Sequence, residues 1–191
     1  MKRIVLASAS PRRKELLEQI GLQFEVEPSN CDEEITSGSE PHEMARKLSL
    51  GKATAAASKH RNALIIAADT LVVFGNRILG KPHTDSEARE MLRALNGQAH
   101  SVITGFTILD TESGKVLSRS VETRVHMRKL TLREIDSYVR SKEPLDKAGG
   151  YAIQGLGAVL VDRIEGDYFN VVGLPLSAMA ESLKEFGIKV L

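Results

Sequence analysis

Ser8-Ala9-Ser10-Pro11-Arg12-Arg13 follows a short apolar run and carries the marks of a helix start, a serine placed just before a proline. The first N–H groups of a helix lack partners within it, and the aligned peptide dipoles favour an anion there. That helix-end contribution is about 0.3–1 kcal/mol, too little alone to hold a polyphosphate in water. Two arginines alter the balance, because the guanidinium fork matches phosphate oxygens. The same residues describe, equally, a capped helix with two solvated arginines. Ala67-Ala68-Asp69-Thr70 ends an apolar run in a carboxylate. Such a setting suits a general base or a metal ligand, and also a residue that merely ends a strand.

Two further segments carry polar groups among small residues. Leu79-Gly80-Lys81-Pro82 lacks the upstream glycine spacing of a Walker loop, so Lys81 is either a phosphate ligand or a surface lysine. In Glu143-Pro144-Leu145-Asp146-Lys147-Ala148-Gly149-Gly150-Tyr151-Ala152-Ile153-Gln154-Gly155, the glycines allow close approach of a ligand to the backbone. Gln154 both donates and accepts hydrogen bonds and could read a base edge; the alternative is a flexible surface turn. With the acidic residues Asp32 and Glu33, these groups suit an anionic nucleotide accompanied by a metal. No G-x-S-x-G elbow is present, which excludes one familiar serine-hydrolase arrangement. His42, His60, His83, His100 and His126 show no ligand spacing and Cys31 is the only cysteine, so a zinc site is not indicated. His100 lies in an expected strand and reads as structural.

Alternating strand and helix signals position these segments and predict an α/β fold. Strands are expected at 3–7, at 23–27 as a half-buried strand, and at 63–68, ending in Asp69. Residues 71–79 predict a hairpin turning at Gly75-Asn76. Long strands follow at 99–109 and 115–129, then 158–164 and 168–172. Helices are expected from Ser10 to Ile20, from Ser39 and Pro41 onward, from Asp85 to Leu95, after the Thr131/Glu134 capping box, and from Pro175 to Gly187. A glycine-rich loop spans 146–157.

Composition narrows the class. Of 191 residues, 42% are hydrophobic and 27% charged, which supports a folded core and argues against disorder. No apolar run reaches the roughly 18 residues that span a bilayer, and the N-terminal apolar stretch is too short for a signal peptide. A net charge of +1, five Phe, three Tyr and no Trp give neither a basic field nor a stacking platform for nucleic acid. One cysteine fits a reducing cytoplasm.

The motifs LASASPRR, AADTLVV, ILGKP, LNGQAHSVITG, EPLDKAGGYAIQGLGA and GDYFNVVGLPL occur in this order from the N-terminus to residue 176. In this they resemble the Maf family of nucleotide pyrophosphatases. The resemblance implies a single domain over residues 1–191. It implies a mixed, elongated sheet flanked by helices, with two lobes around a deep cleft, similar to inosine triphosphate pyrophosphatases. The implied reaction is hydrolysis of a nucleoside triphosphate to the monophosphate and pyrophosphate with a divalent cation, Mg²⁺ or Mn²⁺. Asp69 would be the proton acceptor, with Glu33 helping to hold the metal or the water, and Ser8, Arg13, Lys52 and Lys81 would hold phosphates. Taken alone, Lys52 reads as an exposed helical lysine.

Family members that prefer dTTP and UTP carry arginine, threonine and glutamine where this chain has Arg12, Thr70 and Gln154. A neutral amide suits the O4 and N3–H edge of uracil or thymine, whereas a carboxylate would better suit a cationic methylguanine. Two alternatives stay open: preference for 7-methyl-GTP, and a non-catalytic role as a regulatory binding protein in cell division. A homodimer is compatible with the family; nucleic acid and membrane are not expected partners.

Overall fold

The computed structural model describes residues 2–28 and 40–191. Its elements run β1 (Arg3–Leu6), α1 (Pro11–Gln19), β2 (Glu25–Val26), α2 (Pro41–Ala57), β3 (Ala63–Phe74), β4 (Arg77–Leu79), α3 (Asp85–Leu95), β5 (Ala99–Asp110), β6 (Val116–Met127), α4 (Leu132–Arg140), β7 (Val161–Glu165), α5 (Tyr168–Val172) and α6 (Leu176–Lys184). Seven strands form one mixed sheet in the order β2-β1-β3-β5-β6-β7, with β4 paired to β3. β1 lies parallel to both β2 and β3, while β4 on β3 and β7 on β6 are antiparallel. Among the described residues, no helix is long and apolar enough to cross a membrane.

The chain divides into two compact units, one from Met1–Asp69, Thr104–Val121 and Gly173–Leu191, the other from Thr70–Ile103 and Glu122–Val172. In the first unit, α2 presents a buried stripe of Ala45, Ser49, Lys52, Ala53 and Ala56, at the spacing that lines one helical face. These small side chains let the helix lie close on the sheet. Gly105 of β5 marks the closest approach: a Cβ there would stand 2.2 Å from the carbonyl carbon and oxygen of Ala45. Hydroxyls join the layers, with Ser49 and Thr107 2.8 Å apart and Thr107 and Ser118 2.7 Å apart. Val5, Ala7, Ala63, Ile65 and Ala67 complete this small-residue core.

The second unit has a bulkier core. Leu92 and Leu95 of α3, Ile135, Tyr138 and Val139 of α4, and Val102, Val125 and Leu160 pack together. The Thr131/Glu134 capping box forms as expected, with each side chain meeting the other residue's backbone N–H. The turn at Gly75-Asn76 also forms, bringing Phe74 opposite Arg77.

Several expectations are corrected. The strand at 63–68 does not end at Asp69; β3 continues unbroken to Phe74, so Asp69 sits inside a strand. Leu71, Val72 and Val73 favour extended backbone and carry it past the carboxylate. Of 23–27, only Glu25–Val26 pairs, as a short exposed edge strand. The segment expected as a strand at 168–172 is the helix α5. There the Asp167 carboxylate accepts the N–H groups of Phe169 and Asn170, and the buried Asn170 amide donates to Val102 O and Thr123 Oγ1. Local capping thus overrides the β-preference of Tyr168, Phe169 and the two valines. The loop at 146–157 contains short 3₁₀ turns, one of which continues to Leu160 and delays β7 to Val161. α2 is capped by Glu40, whose carboxylate accepts from His42 and Glu43 N–H; Ser39 lies outside the described residues.

Candidate active site

In the first unit, α2 and β3 bring Lys52 to Asp69. Lys52 Nζ donates to Asp69 Oδ1, and the two residues are only 9% and 5% exposed. A buried carboxylate would be costly without compensation, and the lysine supplies an opposite charge and a donor at the same point. The smallness of Ala45, Ser49 and Ala53 is what lets the stem of Lys52 run along the sheet side of α2. The carboxylate is therefore charge-balanced and oriented within its strand, and is not a group that merely ends one.

Ser8 and Arg13 meet in the same unit. Arg13 Nη1 donates to Ser8 Oγ at 3.3 Å and Arg13 Nε donates to the Gly173 carbonyl at 2.9 Å. The Ser10 N–H also donates to Ser8 Oγ, at 3.2 Å. Ser8 is buried at the end of the run that leaves β1, and Arg13 lies in the first turn of α1. Ser10 occupies the N-cap in extended backbone but makes no side-chain cap bond, so its hydroxyl does not consume the first-turn N–H groups. Arg12 is half-buried beside Arg13.

Thr70, Lys81 and Gln154 belong to the second unit. Thr70 follows Asp69 directly and is half-buried; Lys81 is exposed. The Gly149 N–H donates to the Gly80 carbonyl at 2.9 Å, so the loop carrying Lys81 and the glycine-rich segment are joined. Gln154 is half-buried, in extended backbone, at the N-cap of the 3₁₀ turn Gly155–Leu160. Glu33 lies outside the described residues.

A further group goes unassigned in the sequence reading. Glu143 is fixed by Tyr138 and accepts backbone N–H groups from the turn that follows Gln154. A carboxylate before proline, a dozen residues ahead of a glycine pair flanking one leucine, is the only sequence signal for it.

The sequence model of the family described as Maf-like protein matches residues 3–186. A protein of Bacillus cereus (strain ATCC 10987 / NRS 248) named dTTP/UTP pyrophosphatase is 47% identical over 190 residues, covering 100% of this chain and 93% of its own. One of Bacillus mycoides (strain KBAB4), named likewise, is 48% identical over 186 residues, covering 97% and 96%. The solved structure of the Staphylococcus aureus Ham1 protein gives a partial likeness, with 18% identity, a TM-score of 0.44, and coverage of 66% of this chain and 72% of that one. With a family match running almost end to end and relatives near half identical over their own length, the chain belongs to the Maf family.

Proposed function

We propose that the chain hydrolyses dTTP and UTP to the nucleoside monophosphate and pyrophosphate. The observation that carries this reading is the similarity, at 47% and 48% identity over nearly the full chain, to proteins named dTTP/UTP pyrophosphatase. The buried Asp69–Lys52 pair is chemically consistent with it, because the lysine keeps the carboxylate ionised and oriented, able to accept a proton or to hold a cation.

Asp69 takes a proton from a water directed at the α-phosphorus, and the bond from that phosphorus to the bridging oxygen breaks to release pyrophosphate. Lys52 orients the carboxylate and balances its charge. Arg13, oriented by Ser8 and the Gly173 carbonyl, offers a guanidinium charge to phosphate oxygens. Lys81 offers a second cation to the polyphosphate. Positioning and electrostatics carry most of the rate in such phosphoryl chemistry. Arg12, Thr70 and Gln154 select the base, the Gln154 amide pairing with the O4 and N3–H edge of uracil or thymine.

Among the described residues, no group of three or more His, Cys, Asp or Glu is arranged to hold a metal. One buried carboxylate nonetheless fits Mg²⁺ or Mn²⁺, since Mg²⁺ is commonly held by one or two carboxylates together with substrate phosphates. Asp69 would hold it, with Glu33. When bound, the cation neutralises charge on the phosphate oxygens. We place the activity in the cytoplasm, in keeping with the lone Cys31.

Pyrophosphate release is measured for dTTP, UTP, CTP, GTP, 7-methyl-GTP and ITP with Mg²⁺ or Mn²⁺, for the wild type and Asp69→Asn. Selective turnover of dTTP and UTP, falling about 10²–10⁴-fold in the variant, is the expected result. Preference for 7-methyl-GTP would overturn the specificity. A variant at the wild-type rate would remove Asp69 as base. No turnover with any nucleotide would favour a binding role.

A further inference from the structure

The segment that carries Gln154 is tied on both sides to one pair of side chains. Downstream, Glu143 Oε2 accepts the Leu156 N–H at 3.1 Å and Oε1 accepts the Gly157 N–H at 3.0 Å. Upstream, the Tyr138 hydroxyl accepts the Ala152 N–H at 3.1 Å. The pair is closed by the Tyr138 hydroxyl donating to Glu143 Oε1 at 2.9 Å. Leu156 and Gly157 open a 3₁₀ turn, where N–H groups have no partner inside the turn, so the Glu143 carboxylate acts as a cap supplied from another element.

Gly155 shows how closely that carboxylate is seated. Its φ is +66°, and a Cβ on it would stand 2.7 Å from Glu143 Oε2. Glycine is needed there both for the left-handed backbone and for the room the carboxylate occupies. Tyr138 is 5% exposed in the core of α4, so the whole clamp rests on a packed helix.

We infer that Glu143, acting with Tyr138, is a positioning residue that holds Gln154 in place and thereby sets the discrimination for the pyrimidine base. This rests on the reading of Gln154 given above. A group that reads a base edge must be held to within about 0.5 Å by its supporting shell. Nothing in the sequence next to Gln154 supplies that rigidity, since glycine follows it directly. Glu143 does so through the backbone on one side, and Tyr138 does so on the other.

The test compares the wild type, Glu143→Ala, Glu143→Gln, Gln154→Ala and the Glu143→Ala/Gln154→Ala double variant. kcat and KM are measured for dTTP, UTP, CTP and GTP, with circular dichroism as the check on folding. Glu143→Ala is expected to raise KM for dTTP and UTP about tenfold with little change in kcat, and to shrink the preference over CTP and GTP. Glu143→Gln keeps one acceptor oxygen and should fall between it and the wild type. The double variant should be no worse than Gln154→Ala alone, because both changes remove one function. A folded Glu143→Ala that keeps the wild-type preference while Gln154→Ala loses it would overturn this inference alone. Additive losses in the double variant would overturn it as well. A wild type without pyrimidine preference, or a Gln154→Ala variant that keeps it, would overturn the reading of Gln154 and this inference with it. Should Glu143→Ala fail to fold, Tyr138→Phe removes the upstream tie while leaving the ring packed, and the same loss of preference is expected; an unchanged preference would overturn the inference.

Discussion

Asp69 and Gln154 are held by different means. Asp69 lies within a 12-residue strand, buried, with its charge met by Lys52 from a 17-residue helix. Gln154 precedes a short 3₁₀ turn, half-buried, and its segment depends on one carboxylate and one hydroxyl. A group placed by regular elements shares its support with every residue that packs those elements. A group placed by a clamped loop can be displaced without disturbing the core. Damage near Asp69 should therefore appear as lost stability together with lost turnover, and damage near Gln154 as lost discrimination.

Removing Lys52 gives the largest expected effect on stability. Lys52→Met leaves the Asp69 carboxylate buried without its ammonium, and breaking such a pair costs about 3–5 kcal/mol. Denaturant unfolding measures it. Replacing both partners, as in Lys52→Met/Asp69→Leu, should restore most of the stability and none of the activity. A Lys52→Met protein as stable as the wild type would show that the pair is solvated, and the contrast with Gln154 would fail.

Gly105→Ala tests the same support from the opposite face of the contact. The added methyl would meet the backbone of Ala45 at 2.2 Å, where no rotamer change can relieve it. α2 must shift, and overpacking of this kind costs about 1–3 kcal/mol. Because α2 carries Lys52, kcat should fall as well, with dTTP and UTP affected alike. Lost stability with an unchanged kcat would separate the depth of the helix from the geometry of the carboxylate.

What the sequence disclosed follows the same division. β1, the start of α1, the Gly75-Asn76 turn and the Thr131/Glu134 box were legible because each depends on neighbours in the chain. The passage of β3 through Asp69 was not, because the partner that makes a buried carboxylate tolerable lies seventeen residues away on α2. The helix at Tyr168–Val172 was hidden in the same way: its amide anchor Asn170 reaches Val102 and Thr123, on distant strands. Of the proposed site, the motifs pointed to Asp69, Ser8 and Arg13, but the tie from Arg13 to the Gly173 carbonyl spans 160 positions. Glu143 was in view as a letter, while its task is set by a fold that seats it against Gly155, Leu156 and Gly157.

The smallest expected effect sharpens the comparison through acid. In the second unit, His100 shares a 2.7 Å hydrogen bond with the Tyr151 hydroxyl. Burial, aided by the like charge of His126, pulls its pKa from 6.5 to about 4. In the first unit, Asp110 is held at about 2, down from 3.8, by the Lys2 ammonium and then by the Ser113 hydroxyl and the Glu112 N–H. Both pKa values are depressed, so in each case the unfolded chain binds protons first, and stability falls as pH falls. The His100 contribution is complete above about 6.5 and is lost on the way to about 4; the Asp110 contribution is complete above about 4 and is lost on the way to about 2. Melting temperatures across pH should thus decline in two successive windows. His100→Gln should flatten the upper window, while Asp110→Asn should only lessen the decline in the lower one, which it shares with Glu134, held at about 2 by the Thr131 N–H and then the Arg128 guanidinium. A wild-type profile that stays level between pH 6.5 and 4 would mean that His100 takes up its proton as readily folded as unfolded, and that its burial beside Tyr151 does not keep the ring neutral.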